Sequence, residues 1–163
     1  VNGHVLGCGM ERVLGCDIVV AAKQATLGLP EPRVGSLPLE GGIAQLPRRI
    51  PHVLAMGMLL TGRRISAGEA LGFGLVNEVV ETAELDAAVD RWVTEVLACA
   101  PLSVKAIKQM VRRGAGLSPQ EAQMLRLPAL IAALNSADQD EGVQAFREKR
   151  APRWTGRPRD AAR

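Results

Sequence analysis

The sequence has no tyrosine, and its aromatic residues, two Phe and two Trp, make up 2% of 163 residues. A nucleic-acid surface that works by stacking bases on aromatic rings is therefore excluded. No apolar run approaches the roughly 18–20 residues a membrane span needs, and no signal peptide is visible. Cysteine is sparse. Cys8, Cys16 and Cys99 are odd in number and irregularly spaced, so they match neither a zinc pattern nor a disulfide framework. Free thiols of this kind point to a reducing, cytoplasmic setting. No internal repeat or low-complexity linker divides the chain.

What is present is a globular composition, 47% hydrophobic, long enough for one domain with a real core. The net charge of +3 is unevenly placed. Residues 147–163 carry seven Lys/Arg against Glu148 and Asp160, a local +5, which leaves −2 for the remainder. The basic excess therefore belongs to the tail and does not form a general nucleic-acid face. That tail is expected to be a solvated, partly disordered terminus, with contact to ligand phosphates as the alternative.

The first third is punctuated by Gly and Pro and reads as mixed; the rest reads as helical. Gly7 to Leu14 can start a helix. Asp17–Ala22 reads as a buried strand and Ala25–Leu29 as a short strand ended by Pro30. A loop at Pro38–Gly42 leads into a helix to about Arg49, and Pro51 opens the next. Ser66-Ala67-Gly68-Glu69 and Ser118-Pro119-Gln120-Glu121 both fit the capping box. Leu85, Ala88, Val89, Trp92, Val93, Val96 and Leu97 follow helical spacing, a stripe for core or subunit interface. Pro101 suits a first helical turn, Pro128 should kink or divide a helix, and Asp138 begins the last one. The domain division expected is a core with the site residues at 1–80 and a helical region with the basic tail at 81–163.

Two glutamates stand out. Glu11 lies one turn into the helix that follows Gly7-Cys8-Gly9, where free N–H groups attract negative charge. A carbonyl oxygen received there would be stabilised as an oxyanion. Glu31 lies between Pro30 and Pro32, which hold it rigidly and keep its backbone out of a helix. Paired carboxylates beside an oxyanion site suit acid/base chemistry. A dinucleotide-binding fingerprint is rejected, because its third glycine position is the bulky Arg12. His4 and His52 have no obvious partners and read as structural or exposed.

The pattern Asn2-Gly3-x-x-x-Gly7-Cys8-Gly9-x-Glu11-x-x-x-x-Cys16-Asp17 resembles the signature of the crotonase superfamily, the enoyl-CoA hydratases and isomerases. The resemblance continues through Leu29-Pro30-Glu31, Pro38-x-x-Gly41-Gly42, Leu60-Thr61-Gly62-x-x-Ile65-Ser66-Ala67-x-x-Ala70, Gly74-Leu75-Val76, Glu141-Gly142 and Phe146-x-Glu148-Lys149-Arg150. It implies an α/β fold, the C-terminal part of a ββα spiral core followed by a helical trimerisation region. The chain resembles the C-terminal portion of complete members, whose preceding half supplies the second oxyanion donor.

The resemblance also implies an acyl-CoA hydratase that adds water syn across the 2,3-double bond of an enoyl-CoA. An isomerase or lyase on another CoA ester, or a non-catalytic oligomerisation fragment, are the alternatives. By the same resemblance Glu11 and Glu31 would be catalytic and Cys8 would supply an oxyanion-hole amide. Gly7, Pro30, Gly41 and Glu40 would line the substrate. Glu40 stands where hydratases commonly have a small residue, so it selects a polar acyl chain, alters the reaction, or points to solvent. The partners implied are an acyl-CoA substrate and a homotrimer or dimer of trimers. No metal is called for and no separate cofactor, since coenzyme A is part of the substrate.

Overall fold

A computed structural model describes residues 1–159. The contacts divide the chain into two compact units, Val1–Arg91 and Trp92–Arg163. The first unit is mixed and the second is helical.

In the first unit, β1 (His4–Leu6) leads directly into α1 (Cys8–Leu14). β2 (Val20–Ala22) and β3 (Thr26–Gly28) follow. β1 pairs with β3 in parallel, with His4 opposite Thr26 and Leu6 opposite Gly28. β4 (Arg64–Ser66) adds antiparallel to β3, and β2 pairs in parallel with β5 (Glu78–Val80) in a second small sheet. Between β3 and β4 come a 3-10 turn at Glu31–Val34, α2 (Gly42–Arg49) and α3 (His52–Thr61). α4 (Ala67–Gly72) follows β4. The core that fixes these elements is formed by Met10, Leu14, Leu27, Leu29, Leu46, Met58 and Ile65. Burying one such side chain stabilises the fold by roughly 1.5–3 kcal/mol, so the two core residues of α1, Met10 and Leu14, hold that short helix in place.

The buried strand expected from Asp17 is shorter, because residues 17 and 18 form a bend before Val20. The expectation that Glu31 stays out of any helix is corrected. Glu31 begins a 3-10 turn, which Pro32 tolerates at its second position because a fixed φ suits the turn and the N–H there would be unused. His4, expected to lack a partner, bonds through Nδ1 to Thr26 Oγ1 at 2.7 Å across the β1–β3 pair. Ser66 closes a full capping box with Glu69. Its donors from Ser66 hold the Glu69 carboxyl below the usual range.

α5 (Leu85–Leu97) carries the apolar stripe, of which only Ala88 is buried in this chain. In the second unit, α6 (Pro101–Gly114) packs on α8 (Pro128–Leu134) through Ala106, Ala129 and Ala133. α7 (Pro119–Gln123) has the second capping box, from Ser118 and Glu121. Pro128 opens α8 and so divides the helical run rather than kinking it.

α9 (Ala137–Glu148) ends at Lys149, and the segment after it folds back on the helix. The Asp138 carboxylate accepts from the Thr155 N–H at 2.7 Å, the Thr155 hydroxyl at 3.0 Å and the Gly156 N–H at 2.9 Å. Glu141 accepts two bonds from Arg150, at 2.6 and 3.0 Å, and one from the Arg153 N–H at 2.7 Å. Trp154 covers Gly142 and donates its indole N–H to Ala98 O at 2.7 Å. The expectation of partial disorder is therefore corrected as far as residue 159, while most of these residues are exposed, as a solvated terminus would be. Two of its charges pair with α9, Arg150 with Glu141 and Glu148, and Arg159 with Asp140 at 2.7 Å. The tail charges Asp160 and Arg163 lie outside the described residues.

Candidate active site

The site is built on the step from β1 into α1. Gly7 stands there with φ 56° and ψ −128°, a conformation that favours glycine. Its N–H donates to Gly28 O at 3.1 Å, which ties the step to β3. A second constraint also demands glycine. A Cβ at Gly7 would lie 3.0 Å from Glu31 Oε1. The Glu31 carboxylate therefore rests against the backbone immediately before Cys8.

Cys8 is the first residue of α1, so its amide falls outside the helical hydrogen-bond ladder. Glu11 is one turn on and is 7% exposed. Its Oε1 accepts the Gly42 N–H at 2.9 Å, which ties the loop at the start of α2 to α1. Gly42 is itself confined, since a Cβ there would fall 2.6 Å from Pro38 Cβ. Gly41 turns the chain with φ 128°. Just before that turn, Glu40 comes near the helix: the Cys8 thiol, a Glu11 oxygen and a Glu40 oxygen lie within 4.8 Å of one another. Glu40 remains exposed. Pro30 begins the turn that holds Glu31.

The structure thus sets Glu31 against Gly7 and gathers Cys8, Glu11 and Glu40 at the adjoining start of α1, with Gly41 and Pro30 shaping the two loops. Glu31 is the least satisfied of these groups. Its Oε2 is enclosed, and among the described residues it has no hydrogen-bond partner. Buried polar atoms are usually paired, so this unpaired oxygen calls for an explanation. The approach of the Cys8 thiol to Glu40 was not foreseen. No local motif carries it, because the two residues are far apart in sequence. The same thiol and two carboxylates are the kinds of groups that hold a metal ion, but exposed acidic clusters of this sort are common without one.

The family model for enoyl-CoA hydratase/isomerase matches residues 1–157, and the chain belongs to that family. The carnitinyl-CoA dehydratase of Proteus mirabilis is 37% identical over 161 residues, covering 96% of this chain and 62% of that protein. The carnitinyl-CoA dehydratase of Salmonella typhi is 38% identical over the same span. The crystal structure of enoyl-CoA hydratase from Mycobacterium tuberculosis superimposes with a TM-score of 0.89 at 36% identity, over 94% of this chain and 61% of that one. That of enoyl-CoA hydratase from Bacillus anthracis gives 0.90 at 35%, over 94% and 60%. The fold is accordingly crotonase-like, and the chain spans about 62% of the length of the curated relatives it matches. No helix of the described residues is long and apolar enough to cross a membrane.

Proposed function

We propose that this chain carries the two-carboxylate half of an acyl-CoA hydratase site. The observation that carries the reading is the Glu31 carboxylate, whose Oε1 rests against Gly7, one residue from the Cys8 amide, while its enclosed Oε2 has no partner among the described residues. Glu11 stands on the same helical turn as that amide. In this reading the thioester oxygen accepts from the Cys8 N–H, and Glu11 and Glu31 orient a water at the 2,3-double bond. As the water oxygen bonds to C3, one carboxylate takes its proton and a proton is delivered to C2. The charge that develops meanwhile rests on the thioester oxygen, where the preorganised amide is worth most. Run backwards, the same steps eliminate water, so hydration and dehydration need one geometry.

The substrate is an enoyl-CoA or 3-hydroxyacyl-CoA ester, with coenzyme A part of the substrate and no separate cofactor. The position of Glu40 beside Glu11 and Cys8 supports an acyl chain with a polar group. A second oxyanion donor would come from the segment proposed to precede this one, and losing one donor costs about 10²–10³ in rate. The chain alone is therefore expected to be weakly active or inactive. Exposed apolar side chains on the second unit, Leu97, Ile107, Val111 and Phe146 among them, support assembly into a homotrimer or dimer of trimers. Three free thiols support a cytoplasmic setting.

The test is hydration of crotonyl-CoA by the full-length protein, followed as loss of the conjugated thioester absorbance. Glu31→Gln should collapse it. Isomerisation or lysis of a CoA ester that survives Glu31→Gln would instead support a one-carboxylate reaction. Full turnover by the isolated chain would contradict the need for a second donor.

A further inference from the structure

The turn that carries Glu31 is not held by its own apolar burial. None of Glu31, Pro32, Arg33 and Val34 is buried, and Val34 is 82% exposed. Its internal bonds, such as Arg33 N–H to Pro30 O at 3.0 Å and Ser36 N–H to Glu31 O at 2.9 Å, shape it but attach it to nothing. Attachment comes from the end of α3, where Leu60-Thr61-Gly62 stands. The last carbonyls of a helix lack intrahelical donors and attract cations. Arg33 Nε donates to one of them, Thr61 O, at 2.8 Å. Gly62 then lies flat against the turn. A Cβ there would be 3.0 Å from Arg33 Cγ and 3.2 Å from Pro30 Cα, and Gly62 has φ +60°. Thr61 fixes the same corner, its hydroxyl donating to Gly57 O at 2.6 Å and accepting the Arg63 N–H at 3.2 Å. Both residues flanking the Glu31-Pro32 pair, Pro30 and Arg33, are thus seated on one helix end.

We propose that Arg33, seated on Thr61 and Gly62, is a positioning residue that holds the Glu31 carboxylate against Gly7. This rests on the reading that Glu31 is catalytic. The clamp gives Leu60-Thr61-Gly62 a role that its distance in sequence from either glutamate conceals. Misplacing a reacting group by about 1 Å costs roughly 10²-fold, and the 3.0 Å approach of Glu31 Oε1 to the space over Gly7 leaves little slack.

The experiment is a cycle of variants in the full-length protein, with crotonyl-CoA as substrate. Arg33→Ala and Gly62→Ala attack the clamp from its two sides, each made alone and together with Glu31→Gln. Melting curves identify any variant that fails to fold. Each single variant is expected to lower kcat by roughly tenfold to a hundredfold while KM stays within about twofold. Added to Glu31→Gln, each is expected to cost nothing further, because residues acting through one group are not additive. Losses that multiply in full with that of Glu31→Gln, or an unchanged kcat in both clamp variants, would overturn the proposal. Unimpaired hydration by Glu31→Gln alone would overturn the catalytic reading itself, and is told apart by that single variant.

Discussion

The two units each hold acidic side chains away from bulk solvent, and they treat them in opposite ways. On α9 every acid is answered. Asp138 receives three donors, and Glu141 receives three more from Arg150 and Arg153. At the start of α1, Glu11 has the single N–H of Gly42 on its Oε1, and one oxygen of Glu31 has nothing. A saturated carboxylate is a fastener, since its bonding capacity is spent within the fold. An unsaturated one keeps capacity for a substrate or a water. Burial alone does not separate the cases, because Asp138 and Glu11 are both buried.

Exchanging the carboxylates for amides sharpens the comparison, and the largest effect is expected there. Glu31→Gln should lower hydration by about 10²–10⁴ with little change in melting temperature. Glu141→Gln should do the reverse, lowering the melting temperature of the second unit and leaving the chemistry near parent levels. Thermal scans beside the crotonyl-CoA assay check both. If Glu31→Gln destabilised the protein as much as Glu141→Gln, the distinction between fastener and reacting group would fail.

Asp138→Ala should cost about 1–3 kcal/mol in denaturant melts, because the Thr155 and Gly156 N–H groups lose their acceptor. A pH series addresses the same region. The Arg150 bonds and the Arg153 N–H pull the Glu141 carboxyl from 4.5 down to about 2. Burial acts to raise Asp138, but the donors of Thr155 and Gly156 outweigh it and leave the carboxyl below its usual value. With both lowered, the folded chain binds fewer protons than the unfolded one. Their contribution is complete above about pH 4.5 and is lost as the pH falls toward 2. The second unit should lose protection from hydrogen exchange over that interval, and Asp138→Ala should flatten the dependence. Smallest is the cap. Ser66→Ala should cost about 1 kcal/mol, with no change in KM.

Much of this was legible beforehand because it is local. The glycines at Gly7 and Gly9, the Pro30–Pro32 frame around Glu31 and the boxes at Ser66 and Ser118 each declare themselves within a few residues. What stayed hidden depends on distant partners. The ordering of the basic tail stayed hidden because Arg150 and Arg159 are answered by Glu141 and Asp140 on α9, and no charge count reveals such pairing. Glu40 comes near Cys8 from a loop far off in sequence. Prolines on both sides of Glu31 suggested a backbone kept out of any helix, whereas Pro32 fits the second position of a 3-10 turn. His4 met Thr26 through strand pairing that no sequence spacing announces.

The central claim is that Glu11 and Glu31 serve one pocket before the Cys8 amide. A crystal structure of the full-length protein with a bound 3-hydroxyacyl-CoA tests it most directly. The thioester oxygen is expected about 2.7–3.1 Å from the Cys8 nitrogen, with the 3-hydroxyl between the two carboxylates. A thioester bound elsewhere, or a hydroxyl that touches neither glutamate, would contradict it.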